Sequence, residues 1–214
     1  MSKKLFLVLL VAVLTANYVQ AQLTFGVRAG ANLTNVYREN SSGKMEGLDW
    51  KPGFQVGVVA DYPLLDDLYF QPGILFSQQG MKAEMSVSGY KAKVTWDLNY
   101  IQVPLNFQYS NETGHLYIQA GPYLGYGISG NMKAAVSSGG TSVSNSEKII
   151  FGSGSDADFK SFDVGLGVGA GLHLGNLQAG LGINYGLVNI NPDSKMNNLG
   201  LVLTVTYLFS KKNK

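Results

Sequence analysis

Apolar and non-apolar residues alternate with period two through most of this chain, which puts each set on its own face of an extended strand. In FDVGLGVGAGLHL, Phe162, Val164, Leu166, Val168, Ala170, Leu172 and Leu174 share one face, while Asp163, Gly165, Gly167, Gly169, Gly171 and His173 share the other. Gly175-Asn176 then suits a two-residue hairpin turn, and the pattern resumes with Leu177, Ala179, Leu181, Ile183, Tyr185 and Leu187. Segments starting at Leu23, Gly53, Leu68, Leu116 and Leu199 repeat the alternation. The fourth segment is less regular. Ile101, Val103, Leu105, Phe107 and Tyr109 keep the phase, but Trp96, Leu98 and Tyr100 depart from it, which predicts a bulge near Tyr100. Eight strands result. Their connections are long near 33–50, 80–93, 130–160 and 188–197, and short near 63–67, 110–114 and 175–176. Long external loops facing short periplasmic turns are the asymmetry of an outer-membrane barrel.

The chemistry of the two faces separates a barrel in lipid from one in water. A soluble sheet shows Lys, Glu and Thr to solvent, whereas the non-apolar face here is mostly Gly, Gln, Asn and Ser. Such a face suits the cramped interior of eight strands, which side chains just fill. The strand charges Arg28, Asp61 and Asp163 also fall on that face; on a lipid face near the midplane a charge costs about 2–4 kcal/mol. Aromatic placement agrees. Phe25, Tyr62, Phe70, Phe107, Tyr109, Tyr207 and Phe209 mark the periplasmic ends, and Phe54, Phe76, Tyr126, Phe162 and Tyr185 the external ends. Two girdles around an aliphatic band match the two membrane interfaces. The fold expected is therefore all-β: an eight-stranded antiparallel up-and-down transmembrane β-barrel.

The N-terminus reads differently. MSKK, the apolar run Leu5–Leu14, and Val19 and Ala21 at the small-residue positions form a signal-peptide pattern over 1–21, leaving 22–214 for the barrel. The apolar run is shorter than the ~20 residues a spanning helix needs. Only 14% of residues are charged and the net charge is +2, so no clustered basic face points to nucleic acid. The absence of Cys removes disulfides, thiolate zinc sites, cysteine nucleophiles and a lipid-anchored cysteine.

Candidate chemistry is sparse. Gly165-x-Gly167-x-x-Ala170 partly matches a dinucleotide loop, but it lies inside a strand with no helix after it. His115 and His173 map to periplasmic strand ends with no adjacent nucleophile in the sequence pattern. Asp156 and Asp158 are too few for a calcium site, which takes six to eight oxygens. Asn32-Leu33-Thr34 and Asn111-Glu112-Thr113 match glycosylation acceptors only formally. The Ser-, Gly- and Asn-rich stretch 130–158 reads as a mobile external loop. No catalytic, cofactor or metal residue is assigned. What remains is an inward polar network of Arg28, Gln55, Asp61, Gln71, Gln102, Asp163 and His173, with Arg28 as its ion-pair or hydrogen-bond centre.

The phrases GVRAGAN (26–32), LYFQPGILFSQQG (68–80), YIQVPL (100–105), FKSFDVGLGVGAG (159–171) and LGLVLTVTYLF (199–209) together resemble the porin-family outer-membrane β-barrel domain, the PorT-like group. The resemblance spans nearly all of 22–214. It implies an eight-stranded barrel in the outer membrane of Gram-negative bacteria, mostly without an assigned activity; PorT itself is linked to protein secretion and gliding. That group often has Glu where this chain has Gly73 and Gln102. The closing strand resembles the signal read by the barrel-assembly machinery, although SKKNK follows it. The reading is a non-enzymatic membrane scaffold or interaction protein acting through external loops, with a narrow pore for small solutes as the alternative and a lipid-modifying enzyme as a third class. Expected partners are outer-membrane lipid and lipopolysaccharide, the assembly machinery during biogenesis, and unidentified proteins at the loops.

Overall fold

The computed structural model describes residues 23–38, 49–87, 90–111, 115–139, 141–152, 157–191 and 196–209. The segment 1–21, Asp156 and the closing SKKNK from residue 210 onward lie outside them. The strands are β1 (Thr24–Arg38), β2 (Lys51–Leu65), β3 (Leu68–Val87), β4 (Tyr90–Ser110), β5 (Leu116–Ser138), β6 (Thr141–Ile149), β7 (Phe151–Gly152), β8 (Phe159–Lys160), β9 (Phe162–Leu174), β10 (Leu177–Gly186) and β11 (Met196–Leu208). Eight of them, β1 to β5 and β9 to β11, form an antiparallel ring in chain order, closed where β4 meets β5 on one side and β1 meets β11 on the other. The short turns share one end. Asp66-Asp67 joins Leu65 to Leu68, and Gly175-Asn176 joins Leu174 to Leu177 with Gly175 at φ 64°, which glycine adopts without strain. This is the periplasmic end in the expected orientation.

The outer surface is apolar throughout the ring. Val58, Ile74, Ile118, Val168, Leu181 and Leu203 are all exposed, as are the girdle residues Phe25, Phe107, Phe162 and Tyr207. Neighbouring girdle rings pack in pairs: Phe70 with Phe107 at 5.2 Å, Tyr126 with Phe162 at 5.1 Å and Tyr207 with Phe209 at 5.3 Å between centroids. The inner face holds the polar set, with Gln71, Gln108, Asp163, Gln178 and Thr206 almost wholly buried. This inversion is what lipid as the outer solvent requires.

Two expectations change. Most described residues of 80–93 and 130–158 are in paired strands: β3 and β4 pair out to Val87 and Tyr90, and β5 continues to Ser138, with β6 pairing back along it from Thr141. Beyond the level where β2 ends, β3, β4, β5 and β6 form a four-stranded sheet standing above the ring. Above the lipid, neither face has to be uniformly apolar, so the alternation that marks a spanning strand is lost. A bulge does lie at the level of Tyr100, but it is not what shifts the phase of β4. Leu98, Tyr100, Gln102, Pro104, Asn106 and Gln108 point inward in one unbroken phase. The extra residue sits on β5, because Asn99 pairs with Ser129 and Tyr100 with Gly127, leaving Ile128 over. The apolar side of β4 changes from outside to inside because the external end of the barrel has its own apolar core. Val36, Met81, Leu98, Tyr100, Ile149, Phe159 and Ile190 form it, with Trp96, Met132, Phe151 and Met196 packed around them.

Candidate functional site

The buried polar side chains of the described residues gather in the lumen, and the chain fills it in layers. Periplasmic first is a vestibule of about 390 Å³, open at the mouth and bordered by Asp61, Tyr69, Gln108, Ser110, His115 and His173. His173 is half-buried, with its Nε2 3.3 Å from Gln108 Nε2, an amide that donates to the ring nitrogen, and its ring lies edge-on to Tyr117 at 5.1 Å. Ser110, the two histidines and Asp61 share this space. Among the described residues, however, no serine–histidine hydrogen bond joins them, and Asp61 is engaged with Gln71 instead.

The next layer is the Arg28 network. The guanidinium donates through Nε to Thr206 Oγ1 at 2.8 Å and through Nη2 to Gln71 Oε1. Gln71 Nε2 in turn donates to Asp61 Oδ1 at 2.6 Å and to Gln178 Oε1 at 3.1 Å. Arg28 and Asp61 are therefore joined through one carboxamide, whose oxygen faces the cation and whose nitrogen faces the anion, matching both charges with a dipole. The register explains why contact is indirect. Arg28 lies opposite Gly57, whereas Asp61 lies opposite Thr24, a turn of sheet nearer the periplasm.

Above this layer a cavity of about 40 Å³ is bordered by Arg28, Gln55, Gln102, Gln119, Tyr123 and Asn184, and a second of about 10 Å³ lies toward Asn198. Gln55 is buried between them and packs across Gly30. Gln102 is buried too, and its Oε1 has no protein hydrogen-bond partner among the described residues. Gly73, the other position where the resemblance would place Glu, faces inward. A Cβ there would stand 3.0 Å from both Val58 O and Val59 Cγ1, so a longer side chain does not fit without movement. Asp163 belongs to a separate cluster at the external side: Tyr123 OH donates to its Oδ2 at 3.1 Å and Asn198 Nδ2 to the same oxygen at 2.8 Å. Asp163 is therefore not joined to the Arg28 centre of the expected network; it pairs with Tyr123 and Asn198. The apolar core closes the top. Beside it, buried Lys51 reaches past Gly80, which leaves room for its side chain, to Asp97 Oδ1 at 2.8 Å.

Six of the seven residues assigned from the sequence, Arg28, Gln55, Asp61, Gln71, Gln102 and Asp163, lie buried in the lumen, and His173 lies at its periplasmic mouth. The structure joins Arg28, Asp61 and Gln71 by hydrogen bonds, sets Gln55 and Gln102 around the cavity above Arg28, places His173 in the vestibule with Asp61, and keeps Asp163 apart. Thr206, Gln178, Tyr123 and Asn198 were not singled out. All four sit in phase with the inner face, so parity was the available signal. Lys51, at the start of β2, carried none. Asn32, the first formal glycosylation position, is buried inside and donates to Ser77 Oγ at 3.2 Å. Asp158 Oδ2 accepts from Ile150 N at 2.9 Å.

Residues 16–191 match the family described as outer membrane protein beta-barrel domain, and the chain belongs to it. It is an outer-membrane β-barrel protein. Similar solved structures include Neisserial surface protein A, with a TM-score of 0.49 and 16% identity, covering 86% of this chain and 97% of that one. Ail, the attachment invasion locus protein of Yersinia pestis, gives 0.43 and 15%, covering 88% and 99%. OprG from Pseudomonas aeruginosa gives 0.34 and 12%, covering 89% and 97%. No curated protein matches the chain.

Proposed function

We propose that this chain is a closed, non-enzymatic barrel that serves as a membrane-embedded scaffold and presents its external sheet and loops to protein partners. The filled lumen supports this reading. From the vestibule upward, a solute would meet the Arg28–Gln71–Asp61 layer, a cavity of about 40 Å³, which holds about three waters, and then the apolar core. Each barrier is built from side chains that hold one another in place, so opening a path means breaking buried hydrogen bonds or core packing. The PorT-like resemblance makes a protein-export complex the partner to test.

Planar-bilayer recording of the purified, folded chain tests the closed lumen. The expected result is no steady conductance; a steady open channel would overturn the reading in favour of a narrow pore. Co-purification of the intact protein from outer membranes, with cross-linking at the external sheet, identifies the partner. Turnover of outer-membrane lipid by the purified chain would instead establish the enzymatic class.

A further inference from the structure

The sheet above the ring has two unlike faces, and the strand register defines them. On the side that continues the inner face, Met85, Ala92, Val136 and Val143 align across the four strands and are exposed, beyond the row of Met81, Trp96, Met132 and Glu147 at the edge of the apolar core. On the other side, which continues the lipid-facing surface, Lys82, Thr95, Lys133 and Ser146 form one row and Glu84, Lys93, Ala135 and Ser144 the next. Lys148 lies one row nearer the membrane, beside Asn131 and Asp97, and Lys91 one row farther away, opposite Ser86 and Ser137.

This face gathers five lysines against three acids: Asp49 lies opposite Lys82 across a short backbone bridge, and the other two acids are already engaged. Asp97 binds buried Lys51 at 2.8 Å, with Lys133 at 3.8 Å, and Glu84 is paired with Lys93. Lys82, Lys91 and Lys148 have no salt bridge among the described residues. Like charges held this close on a sheet are unfavourable without a counter-anion.

Position identifies the anion. Ile128 is the last large apolar residue of β5 on the lipid-facing side, and Asn131, the neighbour of Lys148, comes three residues later. With a rise of about 3.3 Å per residue on strands tilted about 40°, that row stands about 8 Å above the apolar band. The polar layer of a bilayer leaflet is about 5–8 Å thick, and lysine side chains bend back toward it. A soluble acidic protein would be met at the tip of the sheet, but the lysines begin at the height of the headgroups.

We propose that Lys82, Lys133 and Lys148, with Lys91 and Lys93 above them, form a binding site for the phosphate groups of anionic glycolipid in the external leaflet. This goes beyond the scaffold reading and stands whether or not the lumen conducts. The test uses the full chain folded in zwitterionic detergent, titrated with phosphorylated lipid A and with lipid A stripped of phosphate. The phosphorylated form is expected to bind at least about tenfold tighter, a preference that K82Q/K133Q/K148Q loses and that K82R/K133R/K148R keeps, because the charge is what attracts it. The arginine variant, together with the gel mobility of folded barrel, separates lost binding from lost fold. Equal binding of the two lipids, or an unchanged preference in the glutamine variant, would overturn the proposal. So would full competition by millimolar inorganic phosphate, or equally tight binding of polyglutamate.

Discussion

The Tyr117 ring crosses Gly171 on the adjacent strand, and its hydroxyl ends over Gly180 on the strand beyond. Tyr117 pairs with Gly171, and Gly171 with Gly180, so the three lie in one row around the barrel. A Cβ on Gly171 would stand 2.5 Å from Tyr117 Cζ, and one on Gly165 the same distance from Tyr123 Cζ. The glycines of β9 and β10 are therefore the floor on which interior tyrosines lie. An eight-stranded lumen has room for a large ring only where the facing strands give up their side chains.

Gly180→Ala tests that arrangement. A Cβ at Gly180 would meet the Tyr117 hydroxyl first, then Cζ at 3.2 Å. The variant is expected to lose about 1–3 kcal/mol through overpacking. Adding Tyr117→Phe removes the closest atom and should restore much of the loss. Urea unfolding in lipid vesicles reads both, and a double variant no better than G180A would refute the contact.

Removing Arg28 has a different signature. Arg28→Ala leaves Gln71 and Asp61 aimed at a missing cation, so the expected loss is about 3–5 kcal/mol. It should appear as folded barrel lost at lower temperature in a heat-modifiability gel. Arg28→Ala with Asp61→Asn should be milder than Arg28→Ala alone. An unchanged unfolding temperature for the single variant would remove Arg28 from the centre of the network.

Leu98 and Leu181 separate core from lipid contact. Leu98 is fully buried in the external core, whereas Leu181 is 68% exposed on the outer surface. Leu98→Ala creates a cavity and is expected to cost about 2–5 kcal/mol. Leu181→Ala loses lipid contact without leaving an internal void, so its penalty should be smaller. Equal shifts in urea midpoint would mean that the external core is not packed as described.

Glu84 supplies a pH test outside the membrane. The hydrogen bond from Lys93 and its charge, reinforced by Lys82 and Lys91, hold this carboxyl below the usual glutamate range. A depressed native value means its contribution is present above the ordinary carboxylate range and is lost as pH falls through the native one. Both partners are about half exposed, so global stability should hardly move. NMR titration of Glu84 should show a low midpoint that Lys93→Gln raises, and a midpoint indifferent to Lys93 would contradict the pairing.

The spanning strands were readable because lipid imposes one rule on every outward position. Val27, Ile74 and Leu203 obey it, and their neighbours Arg28, Gly73 and Thr204 are thereby assigned to the lumen. Parity gives a side but not a height. Arg28 and Asp163 are both inward, yet strand stagger puts them in different layers, which no single strand records. The rule stops where the lipid stops. Leu98 and Tyr100 broke the pattern because they serve an external core whose other members, from Val36 to Ile190, are scattered along the chain. β6 was invisible for a similar reason: TSVSNSEKI alternates weakly, and its place is set by pairing with β5.

That scattered core also orders the making of the barrel. Val36 comes from the first strand, Leu98 from the fourth, and Ile190 from the segment leading into the last. The cap is complete only when that final external segment is in place. The seal at the outer end is therefore a joint product of the first, the middle and the last parts of the chain, and no one hairpin carries it alone.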